Sequence, residues 1–122
     1  MVEVGPHWDA VRAPVPIGER ALKLLSDATG AVIADYGSMY WLIPPGRAQY
    51  WRRLRHVQAL GAHHAEVTYV GVPSATRTSG PGLHWRIPVG PGRYLTDAVQ
   101  LRDALAKAAV AELGSAEEET VR

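Results

Sequence analysis

Apolar positions along this 122-residue chain change their period several times, and each change marks an element. From Ile17 to Ala28, the residues Ile17, Ala21, Leu24, Leu25 and Ala28 share one stripe, while Glu19, Arg20, Lys23 and Asp27 fall elsewhere. That spacing predicts an amphipathic helix, with Pro16 suited to its first turn and Gly30 to the position just past its end. From Ala31 to Ile43 two runs rich in β-branched and aromatic residues flank Asp35-Tyr36-Gly37-Ser38, a hairpin signal. The second run, Met39 to Ile43, is apolar on both faces and predicts a central strand, ended by Pro44, Pro45 and Gly46. Residues 47–54 suit a helical turn or two.

Residues 56–60 and 66–72 read as a second strand pair, joined through Gly61-Ala62-His63-His64. A ten-residue loop, 73–82, leads into a strand over 83–89, on which Leu83, Trp85 and Ile87 alternate with His84 and Arg86. After the turn Gly90-Pro91-Gly92 comes a closing helix capped by Thr96 or Asp97; with Asp97 as cap, Gln100 holds the reciprocal position. Leu101, Leu105, Ala108 and Ala109 form its apolar stripe, and Gly114 suits its stop. The order predicts an α+β fold, a mainly antiparallel five-stranded sheet with two principal helices packed on one face. The chain divides into an irregular N-terminal arm (1–16), a single domain (17–114) and an acidic flexible tail (115–122) containing Glu117, Glu118 and Glu119.

Charge sharpens this picture. The totals nearly cancel, 13 Lys and Arg against 12 Asp and Glu, but between Tyr36 and Thr96 seven arginines face one acid, Glu66. Arginine is the cation suited to bidentate phosphate or carboxylate contacts, so the segregation points to an anionic partner. Packing of acidic helices beside a basic sheet would leave the same pattern. With no cysteine, disulfides and thiolate metal sites are unavailable, which fits a cytoplasmic protein. The start lacks a signal-peptide pattern, and no apolar run is long enough to span a membrane, so no membrane partner is expected.

Candidate chemistry is sparse. His63 and His64 are adjacent and point opposite ways in extended chain, with only Glu66 nearby, so no metal is expected there. Ser74 and Ser79 lack a nucleophile elbow, although His84 could serve as a base. Two-metal phosphoryl transfer needs converging carboxylates, and Asp35 stands alone. The segment from Thr78 to Pro88 is richer: a Gly-Pro-Gly turn delivers His84 and Arg86 to one side of a strand, where they suit a phosphate or simply the wet face of a half-buried strand. Tyr50 and Trp51, beside Arg52, Arg53 and Arg55, suit base stacking with phosphate pairing, or a short helix with a solvated basic face.

The run Gly30-Ala-Val-Ile-Ala-Asp and the later Thr78-Ser-Gly-Pro-Gly-Leu-His-Trp-Arg-Ile-Pro together resemble the N-terminal domain of bifunctional DNA primase/polymerases. The chain looks like the short, diverged actinobacterial proteins similar to that domain, over roughly residues 17–113. The resemblance implies that His84 matches a phosphate-facing histidine, with Ser79 as its partner, at a spacing one residue longer than usual. Asp35 sits near the family's acidic pair, whose second member is absent, and no clear third acid follows His84. The polymerase chemistry is therefore expected to be lost, with no catalytic residues and no cofactor.

The leading expectation is a non-catalytic module that binds nucleic acid or nucleotide phosphates. Arg52, Arg53, Arg55, Arg77, Ser79, His84 and Arg86 would hold phosphates, and Tyr50 or Trp51 would stack. All of it presumes that the arginines gather on one surface around His84. The alternative is a dimeric adaptor or small-ligand protein whose sheet recognises a protein or metabolite, its arginines meeting acidic groups such as the 117–119 tail of a second copy.

Overall fold

The computed structural model describes the backbone of residues 1–61 and 68–121, and side-chain surroundings within those stretches as far as residue 112. Among the described residues seven strands and two long helices follow in the order β1 (Val2–Glu3), β2 (Asp9–Pro14), α1 (Val15–Leu25), β3 (Val32–Asp35), β4 (Ser38–Ile43), β5 (Gln58–Leu60), β6 (Tyr69–Val70), β7 (His84–Ile87) and α2 (Ala98–Val121). Short 3-10 turns cover Ser26–Ala28 and Arg47–Tyr50. Five strands form one antiparallel sheet ordered β5-β2-β4-β3-β7, and β1 pairs with β6 in a separate ribbon. The expected α+β architecture is what the chain adopts.

The middle strand, β4, explains the two-sided apolar run. Met39, Trp41 and Ile43 enter a core beneath the helices with Val11, Val32, Leu22, Leu101 and Leu105. Leu42 turns to the opposite face, where Ala10, Ile33 and Trp85 are covered by Val4, Trp8 and Val70. Burying both faces of a strand leaves no polar side to alternate, hence the continuous apolar stretch. The β3–β4 hairpin closes as expected, with Asp35 opposite Ser38. At α2, the Asp97 carboxylate accepts the Gln100 N–H at 2.9 Å, which satisfies one of the unpaired donors of the first turn.

Several expectations need correction. Residues 1–16 are not an irregular arm: they hold β1 and β2, and β2 lies between β5 and β4. The prolines misled because they sit at boundaries. Pro14 ends the strand and Pro16 falls in the first turn of α1, where a missing N–H costs nothing. Strand β5 pairs with β2 rather than with residues 66–72, whose described part pairs with β1. A register shift opposite β7 moves Ile87 into the helix-side core, so it does not share a face with Trp85. Gly114 does not stop α2, whose backbone stays helical to Val121; an interior glycine costs about 1 kcal/mol but does not forbid the helix. The expected tail is thus helical through Val121.

Candidate nucleic-acid interface

The arginine-rich segment begins at a turn. Pro45 and Gly46 occupy the middle of a turn closed by the Arg47 N–H donating to the Pro44 carbonyl at 3.2 Å, with Gly46 at φ +88°. That conformation suits proline followed by glycine. The 3-10 turn that follows is held to the sheet by Asp9, which is 2% exposed and accepts the Ala48 N–H at 2.9 Å. Its other oxygen is buried without a partner, as is the Trp51 indole N–H. Trp51 is half-buried and packs against the helix-side core, whereas Tyr50 is 73% exposed. Trp51 is therefore an anchor and Tyr50 the open aromatic face.

Beyond Trp51, apolar and charged residues alternate in a way that aims the charges outward. Leu54 and Val57 turn into the helix-side core and bridge each other, while Arg52, Arg53, Arg55 and His56 remain exposed. His56 takes φ +65°, a left-handed conformation that closes this tight turn. An open cavity of about 1100 Å³ runs along the β5 side, bordered by Arg12, Arg53, Arg55, His56 and Gln58. A second, of about 320 Å³, lies between the 3-10 turn and the start of α2, bordered by Arg47, Arg52, Arg102, Tyr50 and Val99. Trp51 lines both, so the two adjoin. Six arginines thus border the pair, and Asp103 is the one acid among the described lining residues. Arg102 donates from Nε to the Arg52 carbonyl at 3.0 Å, and Arg12 donates from Nε to the Ser38 hydroxyl at 3.1 Å.

His84 lies elsewhere. It sits on β7, at the opposite edge of the sheet from β5, and four strand spacings separate the two edges by roughly 19 Å. Its Nδ1 lies 2.8 Å from the Gly82 carbonyl. A carbonyl only accepts, so Nδ1 carries the hydrogen and Nε2 holds the lone pair of the neutral ring. Arg86 makes two hydrogen bonds of 2.9 Å to Glu19 on α1. Those bonds raise its pKa against the opposing effect of partial burial, and Coulombic attraction to Glu19 adds to the rise. Arg77 donates to the Pro81 carbonyl at 3.0 Å, and its own carbonyl accepts the Trp85 N–H at 2.8 Å, so it organises the loop along β7. Ser79 is exposed on that loop. The space beneath the loop is a small apolar cavity of about 160 Å³ against Trp85, Pro73 and Val89.

The single surface presumed from the sequence is therefore two. Arg52, Arg53, Arg55, Tyr50 and Trp51 come together at one edge, while Arg77, Ser79, His84 and Arg86 lie at the other. Arg12 and Arg102 join the first group unannounced, one from the stretch read as irregular, the other from a helix fifty residues away in sequence. Neither carries a local signal. His63, His64 and Glu66 lie outside the described residues; among those described, no three His, Asp or Glu gather as metal ligands and no helix is long and apolar enough to cross a membrane. No family model, curated protein or solved structure matches the chain.

Proposed function

We propose that this protein is a non-catalytic module that binds nucleic acid through the arginine-bordered surface between β5 and the start of α2. The observation that carries this reading is the convergence of Arg12, Arg47, Arg52, Arg53, Arg55 and Arg102 on two adjoining cavities, with Tyr50 exposed at the smaller one. Cations spaced along an open edge suit a repeating phosphate backbone better than a single small anion, which a closed pocket would hold. The β7 edge contributes less, because Glu19 already neutralises Arg86 there. Kinship with primase/polymerases would add a history to this reading, not a reason for it.

A mobility-shift titration against DNA over a range of salt concentrations tests it. Phosphate contacts release counterions, so log affinity is expected to fall with log salt by roughly 0.9 per contact on duplex and about 0.7 on single strands. Absence of binding, or binding insensitive to salt, ends the reading. Deleting residues 115–122 is expected to leave the molecular mass of the native particle that of a single chain less the tail; a dimer lost on deletion would favour the adaptor reading.

A further inference from the structure

We infer that the cleft between the 47–51 segment and the first turn of α2 takes one unpaired nucleobase, so that the surface engages single strands in preference to duplex. This rests on the nucleic-acid reading above and deepens it. The cleft measures about 320 Å³, at the lower end of the roughly 300–1,000 Å³ of small-ligand sites, which suits one planar ring system. Part of its wall is apolar and open to solvent: Tyr50 is 73% and Val99 77% exposed. An interface made for phosphates alone gains nothing from such walls. A ring face placed between them removes apolar area from water and stacks on the tyrosine.

Charge argues for the same occupant. Arg47, Arg52 and Arg102 stand around the cleft, placed for the phosphates on either side of a bound base. Asp103 also lines it, with its Oδ2 3.1 Å from the Lys107 ammonium. The ion pair offsets the carboxylate's repulsion of a phosphate, but a carboxylate has acceptor capacity beyond one partner and can take a hydrogen bond from a base's amino group. The apolar wall and this acceptor suit a base inside, with its flanking phosphates toward Arg47, Arg52 and Arg102. The cleft is also preformed, because the Arg102 Nε–H holds the Arg52 carbonyl at 3.0 Å and ties α2 to the arginine segment. A duplex cannot use the site: its ring faces are stacked and its edges paired, whereas a single strand offers both.

Fluorescence anisotropy with a short labelled single strand, the blunt duplex of the same length and unlabelled nucleoside monophosphate as competitor tests the inference. The wild-type protein is expected to bind the single strand about tenfold or more tighter than the duplex. Tyr50→Ala is expected to weaken single-strand binding by roughly 5- to 150-fold, the range for losing one stacked base. Its salt slope should not change, since no phosphate contact is lost, and Tyr50→Phe should restore the affinity. Tyr36→Ala, an exposed tyrosine on the β3–β4 hairpin, serves as the control and should change nothing. Equal affinity for the two forms, or an unaltered single-strand affinity in Tyr50→Ala, overturns the base pocket; salt-dependent duplex binding would then leave the arginine surface standing. Competition by the monophosphate at micromolar concentration overturns the strand in favour of a free nucleotide. Failure of both nucleic acids to bind removes this inference together with the reading beneath it.

Discussion

Asp9 shows how one buried side chain sets the position of several charged ones. It sits at the start of β2 and holds the Ala48 N–H, fixing the 3-10 turn from which the arginine segment departs. Asp9→Ala leaves that buried donor unpaired, and the expected loss is about 1–3 kcal/mol of stability in urea denaturation; a variant as stable as wild type would show that the turn is held by packing alone. Arg86 is the contrasting case. Its bidentate pair with Glu19 is exposed on both sides, so Arg86→Ala should cost only about 0.5–1 kcal/mol. The pKa of Arg86 is raised in the fold, so its contribution is complete below the ordinary arginine range and fades only above it. Thermal melts should therefore show the same difference between Arg86→Ala and wild type at neutral and mildly alkaline pH. A difference that vanishes between those pH values would contradict the ion pair.

Elements were legible where periodicity and boundary residues agreed. The α1 helix, the β3–β4 hairpin and the Asp97 cap follow from local patterns, although Leu24 and Ala28 of the expected stripe are exposed and Leu22 is buried instead. β2 is not legible, since the prolines at 14 and 16 read as irregular chain although they mark a strand end and a helix start. Gly30 was assigned to the end of α1, yet the helix ends at Leu25 and the glycine serves a different need. A Cβ there would lie 2.7 Å from the Tyr94 carbonyl oxygen and 2.8 Å from the Leu95 carbonyl carbon, both backbone atoms that cannot swing aside. Its N–H donates to the Thr96 hydroxyl at 2.8 Å, joining the segment before α2 to the start of β3. Gly30→Ala is expected to cost about 1–3 kcal/mol, read as a lowered denaturation midpoint. Gly18→Ala meets first the Met39 thioether, a side chain that can move, and should cost less. The reverse order would mean that the 94–96 segment yields more easily than the core.

Across the whole molecule, sequence separates charges by position in the chain, whereas folding separates them by position in the sheet. Residues 47–56 and 77–86 both look basic, and nothing local says that the strand order β5-β2-β4-β3-β7 places them at opposite edges. Nor does any local pattern bring Arg102 onto the Arg52 carbonyl. The composition thus revealed that a basic surface exists, and only the topology shows where it lies. Comparing two charge-deleted variants by the salt dependence of their single-strand affinity tests that placement most directly. Arg52→Ala/Arg53→Ala/Arg55→Ala is expected to weaken binding and to flatten the slope by up to about 2, some 0.7 for each lost contact. Arg77→Ala/Arg86→Ala should keep the wild-type slope. A slope that flattens in the second variant and stays steep in the first would place the nucleic acid on the β7 edge and contradict the assignment made here.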